Sequence, residues 1–200
     1  LNTKEIIAQN LAAVRQDMAN ACDCAGRAVD SVRLVAVTKY ANWEWVEALV
    51  GEHQIFGESR PQQLAERRAL LPNAEWHLIG QLQRNKVRSA VQTASMVHSV
   101  DSLKLLTRIA LVAGELNIRP QILLQVNVSA EESKSGFTPD DLIKSWTDVI
   151  VCHKAVEITG LMTMAPASDD PEDARPGFRA LAEFRDRLRS NDAAQRDGLT

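Results

Sequence analysis

Six short apolar runs, separated by longer stretches with helical periodicity, most constrain how this chain can fold. The runs are RLVAVTK, HQIFGE, EWHLIG, MVHSV, QILLQVN and EITGLMT. Each is rich in β-branched or aromatic side chains, which is typical of strands buried on both faces of a parallel sheet. The repeating units are roughly 20 to 30 residues long, as strand–helix–strand crossovers require. The pattern therefore predicts an α/β fold built on a parallel sheet.

Capping signals mark the helices between these runs. The first helix is predicted to begin with a capping box of Asn2 and Glu5 and to end at Gly26. Its predicted apolar face is Ile7, Leu11, Val14 and Met18. Further helices are predicted to start at Pro61, Asp101, Thr138 and Pro171. The last of them should bury Phe178, Leu181, Phe184 and Leu188.

Polar residues gather where the predicted strands end. They are Lys39, Glu58, Ser59, Gly80, Ser99, Asp101, Asn127 and Thr163. Barrel enzymes build their sites on that face, so the pattern favours a (β/α)8 TIM-type barrel over an open doubly wound sheet. No GxGxxG or GxxxxGKS fingerprint follows any strand, which weakens a nucleotide-binding alternative. We expect residues 1–200 to be one barrel domain that holds six of the eight strands, with strands 7 and 8 missing.

Composition narrows the class of protein. The 200 residues carry a formal net charge of −3, and no apolar run approaches the roughly 20 residues that span a bilayer, so we expect neither a nucleic-acid nor a membrane partner. Cys22, Cys24 and Cys152 form no disulfide framework, which indicates reduced thiols and a cytoplasmic protein. The four histidines are scattered, so we expect no metal site.

Lys39 ends the first run with no acidic residue within four positions in sequence. It could be a strand-end lysine that holds its ammonium in water. Alternatively, it could be a nucleophile that forms a Schiff base. An ordinary lysine with a pKa of ~10.4 is neutral in only about one molecule in 2,500 at pH 7, so this chemistry needs burial or a neighbouring cation. The lysine alone does not decide between these hypotheses.

Two further residues allow a structural and a functional interpretation. Ser59 could cap the helix at Pro61 or face a ligand. His77 could be a hydrogen-bonded core residue or a cofactor neighbour, on the opposite face of its strand from Leu78. Arg84, Lys86 and Arg88 follow on a helix and are interpreted as a solvated face, because no aromatic residues lie between them as in an RNA-binding surface.

Six motifs in order resemble the pyridoxal phosphate homeostasis protein family. They are VAVTKY, FGES, WHLIGQLQRNKV, HSVDS, QVNVSAEESKSGF and GLMTM. This family is similar to the N-terminal domain of alanine racemases. The resemblance implies a barrel of pyridoxal 5'-phosphate (PLP) fold type III. It also implies that Lys39 carries PLP as a Schiff base.

The resemblance also indicates further residues of the cofactor site. It implies that Ser59, His77, Asn127, Met162 and Thr163, which lie in the matching motifs, contact the cofactor. Ser59 stands where the family usually has Asn, so a shorter hydroxyl replaces an amide there. The family's phosphate-binding segment and final strand are expected beyond Thr200.

Three functions are compatible with these features. The resemblance favours an intracellular PLP-binding protein that acts as a carrier or regulator in vitamin B6 homeostasis and is not an enzyme. We expect this protein to be a monomer with PLP-dependent apoenzymes as its partners. The alternatives are a PLP-dependent amino-acid racemase or a Schiff-base aldolase of the barrel type, and a barrel without catalysis in which the lysine is structural. Racemisation needs proton transfer on both faces of the cofactor, and the single tyrosine, Tyr40, is predicted to point toward the helices.

Overall fold

A computed structural model describes residues 2–129 and 135–190. In this part of the chain, six strands alternate with eight α-helices. The strands are β1 (Ala36–Val37), β2 (Ile55–Glu58), β3 (Glu75–Leu78), β4 (Met96–Val100), β5 (Gln121–Gln125) and β6 (Glu157–Met162). The helices are α1 (Thr3–Cys24), α2 (Trp43–Val50), α3 (Pro61–Leu70), α4 (Val87–Thr93), α5 (Leu103–Leu116), α6 (Pro139–Lys144), α7 (Trp146–His153) and α8 (Arg175–Ser190).

The six strands form one sheet in the order β1-β2-β3-β4-β5-β6, and every neighbouring pair is parallel. Sequential order with parallel pairing is the order of strands around a (β/α) barrel. Within the described residues the sheet stays open, because β1 and β6 are its two edges. The predicted parallel α/β architecture and its six strands are therefore confirmed.

The first strand is much shorter than predicted. The apolar run from Arg33 to Lys39 contributes only Ala36 and Val37 to the sheet. As an edge strand it pairs with β2 alone, and the backbone N–H of Thr38 adds one last bond to the Gly57 carbonyl at 3.0 Å. The chain then turns, with the Ala41 N–H donating to the Thr38 carbonyl at 2.9 Å. Lys39 therefore lies in a turn just after the strand.

The helix starts agree with most of the capping signals. The capping box of Asn2 and Glu5 is present. The cap of α5 is Ser102 and not the predicted Asp101, because the Ser102 hydroxyl accepts from the Leu105 N–H while the Asp101 carboxylate accepts from that hydroxyl. Ser59 does not cap α3 either, since Arg60 holds the cap position without a side-chain bond.

The core lies between the sheet and the helices that cover its outer face. Its largest fully buried side chains include Trp76, Phe56, Leu64, Leu106 and Ile122. Two predicted apolar faces are only partly buried. Val14 of α1 is 43% exposed and Phe178 of α8 is 53% exposed, whereas Leu11, Phe184 and Leu188 are buried as predicted. Phe178 is exposed because it lies in the first turn of α8, beside the open edge at β6.

Gly80 lets the loops after β2 and β3 approach each other closely. A Cβ at this position would lie 2.6 Å from Cα and 2.7 Å from Cβ of Ser59, and closer still to the Ser59 carbonyl oxygen. Most of these atoms belong to the backbone, so they cannot turn aside as a flexible side chain could. Gly114 of α5 differs, because a Cβ there would meet nothing within 4 Å.

We expect Gly80→Ala to lower the free energy of unfolding by about 2–3 kcal/mol, because the new methyl group forces two strand ends apart. The matched change Gly114→Ala should raise the free energy of unfolding by about 0.5–1 kcal/mol, because alanine has a higher helix propensity than glycine at an exposed helix position. Urea unfolding of both variants measures the difference. Equal effects at the two positions would contradict the close approach at Gly80.

Candidate cofactor site

The carboxyl edge of the sheet presents the predicted site residues in two groups. Ser59 directly follows β2, and Lys39 lies two residues after the end of the neighbouring strand β1. Asn127 follows β5, while Met162 is the last residue of β6 and Thr163 comes next. His77 lies inside β3 rather than at this edge. The two groups are thus separated along the sheet by β3 and β4.

Lys39 is half-buried, and its Nζ lies 5.2 Å from the centroid of the Tyr40 ring. No carboxylate among residues 2–129 and 135–190 forms an ion pair with it. Tyr40 is 85% exposed, so the prediction that it points toward the helices is wrong. The alternation of a strand no longer applies, because the strand ends at Val37 and both residues belong to the turn.

A buried polar network of Thr38, Glu58 and Arg67 fixes the turn that carries Lys39. The Thr38 hydroxyl donates to Glu58 Oε1 at 2.6 Å, and Nη1 of Arg67 lies 3.0 Å from the same oxygen. Arg67 also donates to the carbonyl oxygens of Thr38 at 2.8 Å and Ala41 at 3.0 Å. Glu58 is fully buried and Arg67 is 8% exposed. The network links β2 and α3 to the residues on both sides of Lys39.

Ser59 lies half-buried where the loop after β2 meets Gly80. Ser99 of β4 donates its hydroxyl proton to the Gly80 carbonyl at 2.5 Å. The close packing at Gly80 and this hydrogen bond join the ends of β2, β3 and β4 in one row. Ser59 is thereby held at the same edge as Lys39.

A chain of titratable groups runs along one face of the sheet. Nε2 of His77 lies 2.7 Å from Glu75 Oε1, and Nδ1 of His77 lies 2.9 Å from Nε2 of His98. Both ring nitrogens of His77 therefore have partners within the protein. The contact of His77 with the cofactor stays a prediction. Burial and the neighbouring His77 lower the pKa of His98 to about 4, so His98 is neutral at pH 7.

The second group is joined by hydrogen bonds between β5 and β6. The Val126 N–H donates to the Met162 carbonyl at 2.8 Å, and the Thr163 hydroxyl donates to the Val126 carbonyl at 2.8 Å. The buried Asn127 accepts a hydrogen bond from the Ser129 hydroxyl at 3.1 Å. The Thr163 oxygen can still accept a bond from a ligand. Part of the polar loop that follows, residues 130–134, lies outside the described residues.

A polar cleft lies beside this edge, between the loop after β3 and the start of α5. It has a volume of about 640 Å³ and is lined mainly by Gln81, Gln83, Arg84, Asn85, Asp101 and Lys104. Arg84 and Lys86 belong to a short 3-10 turn, and Arg88 of α4 pairs with Glu115. The three basic residues therefore do not share one helix, which corrects the prediction, because the chain changes from 3-10 to α geometry at Val87.

Sequence reasoning missed the residues that support the site, namely Thr38, Arg67, His98 and the hydrogen bond of Ser99. A signal existed for Arg67, because it follows the buried Leu64 by three positions and thus shares the inward face of α3. A charged residue on an inward helix face requires a buried partner. No comparable signal pairs His77 with His98, since they belong to different strands.

Metal and membrane features are absent from the described ranges 2–129 and 135–190. No group of three or more His, Cys, Asp or Glu residues there could hold a metal ion. No helix in these ranges is long and apolar enough to cross a membrane. Cys22, Cys24 and Cys152 are all free thiols.

Comparisons with known proteins agree on one group of relatives. Residues 9–196 match the family model described as alanine racemase, N-terminal domain. The pyridoxal phosphate homeostasis protein of Aquifex aeolicus is 34% identical, over 90% of this chain and 80% of its own length. That of Deinococcus radiodurans is 39% identical, over 82% of this chain and 76% of its own length.

Solved structures show the same likeness. PipY of Synechococcus elongatus with PLP bound matches with a TM-score of 0.76 and 30% identity, covering 97% of this chain and 95% of its own. An unknown protein from Bifidobacterium adolescentis matches with a TM-score of 0.83 and 32% identity, covering 95% of this chain and 81% of its own. Alanine racemase from Streptomyces coelicolor shares the fold at a TM-score of 0.67 and 18% identity, over 95% of this chain and 50% of its own.

The lowered pKa of His98 predicts a pH dependence of stability. Its folded value of about 4 lies below the usual 6.5, so the unfolded state binds more protons between these values. The free energy of unfolding should therefore fall by about 1–2 kcal/mol more between pH 7 and pH 5 than it would without this group. Urea unfolding at both values of pH, for the wild type and His98→Gln, measures that excess.

Burial also lowers the pKa of His53, so some loss on acidification should remain in the variant. The excess is the difference between the two proteins. A wild type and a His98→Gln variant that lose the same free energy would show that His98 is not held neutral by its surroundings.

Proposed function

Because the chain belongs to the pyridoxal phosphate homeostasis protein family, we propose that it binds pyridoxal 5'-phosphate covalently through Lys39 and takes part in intracellular PLP homeostasis. One observation carries the proposal. Lys39 is a half-buried residue near the carboxyl edge of the sheet, and its amine forms no ion pair with a carboxylate in the described part of the chain. A lysine in this position can act as a nucleophile once its proton is lost.

The residues at this edge suit such a cofactor. PLP supplies an aldehyde on a flat aromatic ring that also carries a hydroxyl and a phosphate. The Lys39 Nζ condenses with the aldehyde carbon and releases one water, which gives the Schiff base. Ser59 and Thr163 offer hydroxyl groups, Asn127 offers an amide, and Met162 offers an apolar side chain. We propose these four, with His77, as the residues around the ring.

We propose a carrier or regulatory role rather than turnover of a substrate. The homologues named pyridoxal phosphate homeostasis proteins support this choice. PipY with PLP bound supports the binding of the cofactor. We also propose that the protein is a monomer with PLP-dependent apoenzymes as the partners that receive the cofactor. A location in the cytoplasm is part of the proposal, and the three free thiols favour that location. A racemase remains the second candidate, favoured by the family model, which is named after alanine racemase.

The attachment to Lys39 can be tested by reduction. Borohydride treatment of the PLP-loaded protein should fix the cofactor on the peptide that contains Lys39, and peptide mass mapping locates it. Lys39→Ala should abolish this labelling and change the free energy of unfolding by no more than about 0.5 kcal/mol, because the side chain lies in a turn and is only half-buried. Lys86→Ala, at the same end of the sheet, is the matched control and should label normally. Labelling that persists in Lys39→Ala would refute the assignment.

The carrier role predicts negligible racemisation. Inversion at a carbon atom needs an acid–base group on each face of the cofactor, and a missing group typically costs about 10²–10⁴ in rate. Tyr40 lies on the same turn as Lys39 and is largely exposed, so it is poorly placed to act from the opposite face. The PLP-saturated protein should therefore interconvert D- and L-alanine at most slightly faster than free PLP. Rapid turnover that Lys39→Ala abolishes would move the protein into the racemase class.

A further inference from the structure

We propose that Arg67 of α3 is a positioning residue that fixes the backbone on both sides of Lys39 and thereby sets where its amine lies. This inference rests on the proposed binding of PLP through Lys39. Arg67 contacts the backbone of the turn that carries Lys39 and acts on the amine through that backbone.

The sheet alone holds this turn weakly. β1 pairs with a single neighbour over two residues, and the bond from the Thr38 N–H to Gly57 is the last one in the ladder. Lys39 and Tyr40 then pass through the turn closed by the Ala41 N–H and the Thr38 carbonyl. A two-residue edge strand leaves the following backbone free to move unless side chains hold it.

The guanidinium of Arg67 supplies that support at two points. Nη1 donates to the Thr38 carbonyl at 2.8 Å and Nη2 donates to the Ala41 carbonyl at 3.0 Å. These carbonyls belong to the first and last residues of the turn, so one rigid group spans it. A planar guanidinium presents its N–H groups in a fixed fork, which a lysine ammonium cannot reproduce.

The guanidinium is itself fixed from two sides. Glu58 Oε1 lies 3.0 Å from Nη1, and the Trp43 ring lies 6.0 Å from the Arg67 Cζ. Glu58 is the last residue of β2, so the ion pair ties α3 to the strand that neighbours β1. The Thr38 hydroxyl donates to the same oxygen of Glu58 at 2.6 Å. These contacts therefore join the turn, β2 and α3.

A purely structural role is the competing explanation. A buried ion pair does not by itself indicate net stabilisation, because desolvation of the two charges opposes their attraction. Under that explanation, weakening the pair lowers stability but leaves the Lys39 turn and its reaction with PLP unchanged in the molecules that remain folded. The two explanations differ in what happens at residues 38–41.

Arg67→Lys tests the proposal, and Arg68→Lys is its matched control. Arg68 is the next residue in α3 and also donates to a backbone carbonyl, that of Thr93 at 2.6 Å, on α4 and away from Lys39. In the protein without PLP, we expect Arg67→Lys to speed hydrogen exchange of the Ala41 N–H about tenfold or more, because the carbonyls of the turn lose their fixed donor. Arg68→Lys should leave that exchange unchanged.

In the PLP-loaded protein, the fraction of Lys39 fixed by borohydride at a limiting PLP concentration gives a second readout. We expect Arg67→Lys to lower this fraction, measured at a fixed short time after PLP is added, about 10-fold to 100-fold, because misplacement of a reacting group by about 1 Å slows a reaction by factors of this size. Circular dichroism and thermal unfolding establish that both variants are folded at the assay temperature. Normal exchange at Ala41 and normal labelling in folded Arg67→Lys would overturn the proposal.

Glu58→Gln provides a second variant if Arg67→Lys does not fold. It keeps the shape of the side chain but weakens its hold on the guanidinium, so we expect a loss of labelling of about 3-fold or more. An unchanged Glu58→Gln would also count against the proposal. A wild-type protein that binds no PLP at Lys39 would instead overturn the proposed function, and the exchange of Ala41 would still test the role of Arg67.

Discussion

The buried ion pair between Glu58 and Arg67 joins the first strands to α3 and holds the turn that carries Lys39. Glu58 is fully buried and Arg67 nearly so, which makes their hydrogen bonds to Thr38 and Ala41 necessary rather than incidental. Removing one partner of such a pair generally costs about 3–5 kcal/mol, because the other charge stays buried without compensation. The local fold around Lys39 therefore depends on polar contacts as much as on apolar packing.

The parallel sheet determines which residues can meet at the candidate site. Each strand ends at the same edge, so residues far apart in sequence, such as Lys39 and Thr163, lie on one side of the molecule. The space between the strand ends is closed by specific contacts, as the approach of Gly80 to Ser59 shows. A chain with the same apolar pattern but a larger residue at Gly80 would keep its fold class and lose this spacing.

Much of the architecture could be predicted from the sequence, because buried parallel strands need continuous apolar runs and helices need caps. The six strands, their parallel pairing and the cap at Asn2 follow from these rules. The length of β1 could not be predicted in this way, since Arg33, Leu34 and Val35 fit a strand locally but the edge strand pairs over two residues only. The predicted orientation of Tyr40 was wrong for the same reason, because side chains alternate between the two faces only as far as the strand extends.

The candidate site was predictable only at the level of single positions. Lys39, Ser59 and Asn127 stand at strand ends, which the sequence pattern indicates directly. The partners that orient them come from other elements, so no local pattern pairs Arg67 with Thr38 or His77 with His98. Such contacts depend on how helices pack over the sheet, and this packing is not encoded within any one short segment.

A crystal structure of the protein grown with PLP would show directly whether the cofactor is attached to Lys39. Attachment there predicts continuous electron density between Nζ of Lys39 and the cofactor, with the ring at the carboxyl edge of the sheet near Ser59. Density for PLP joined to another lysine, or bound elsewhere with the Lys39 amine unmodified, would contradict it.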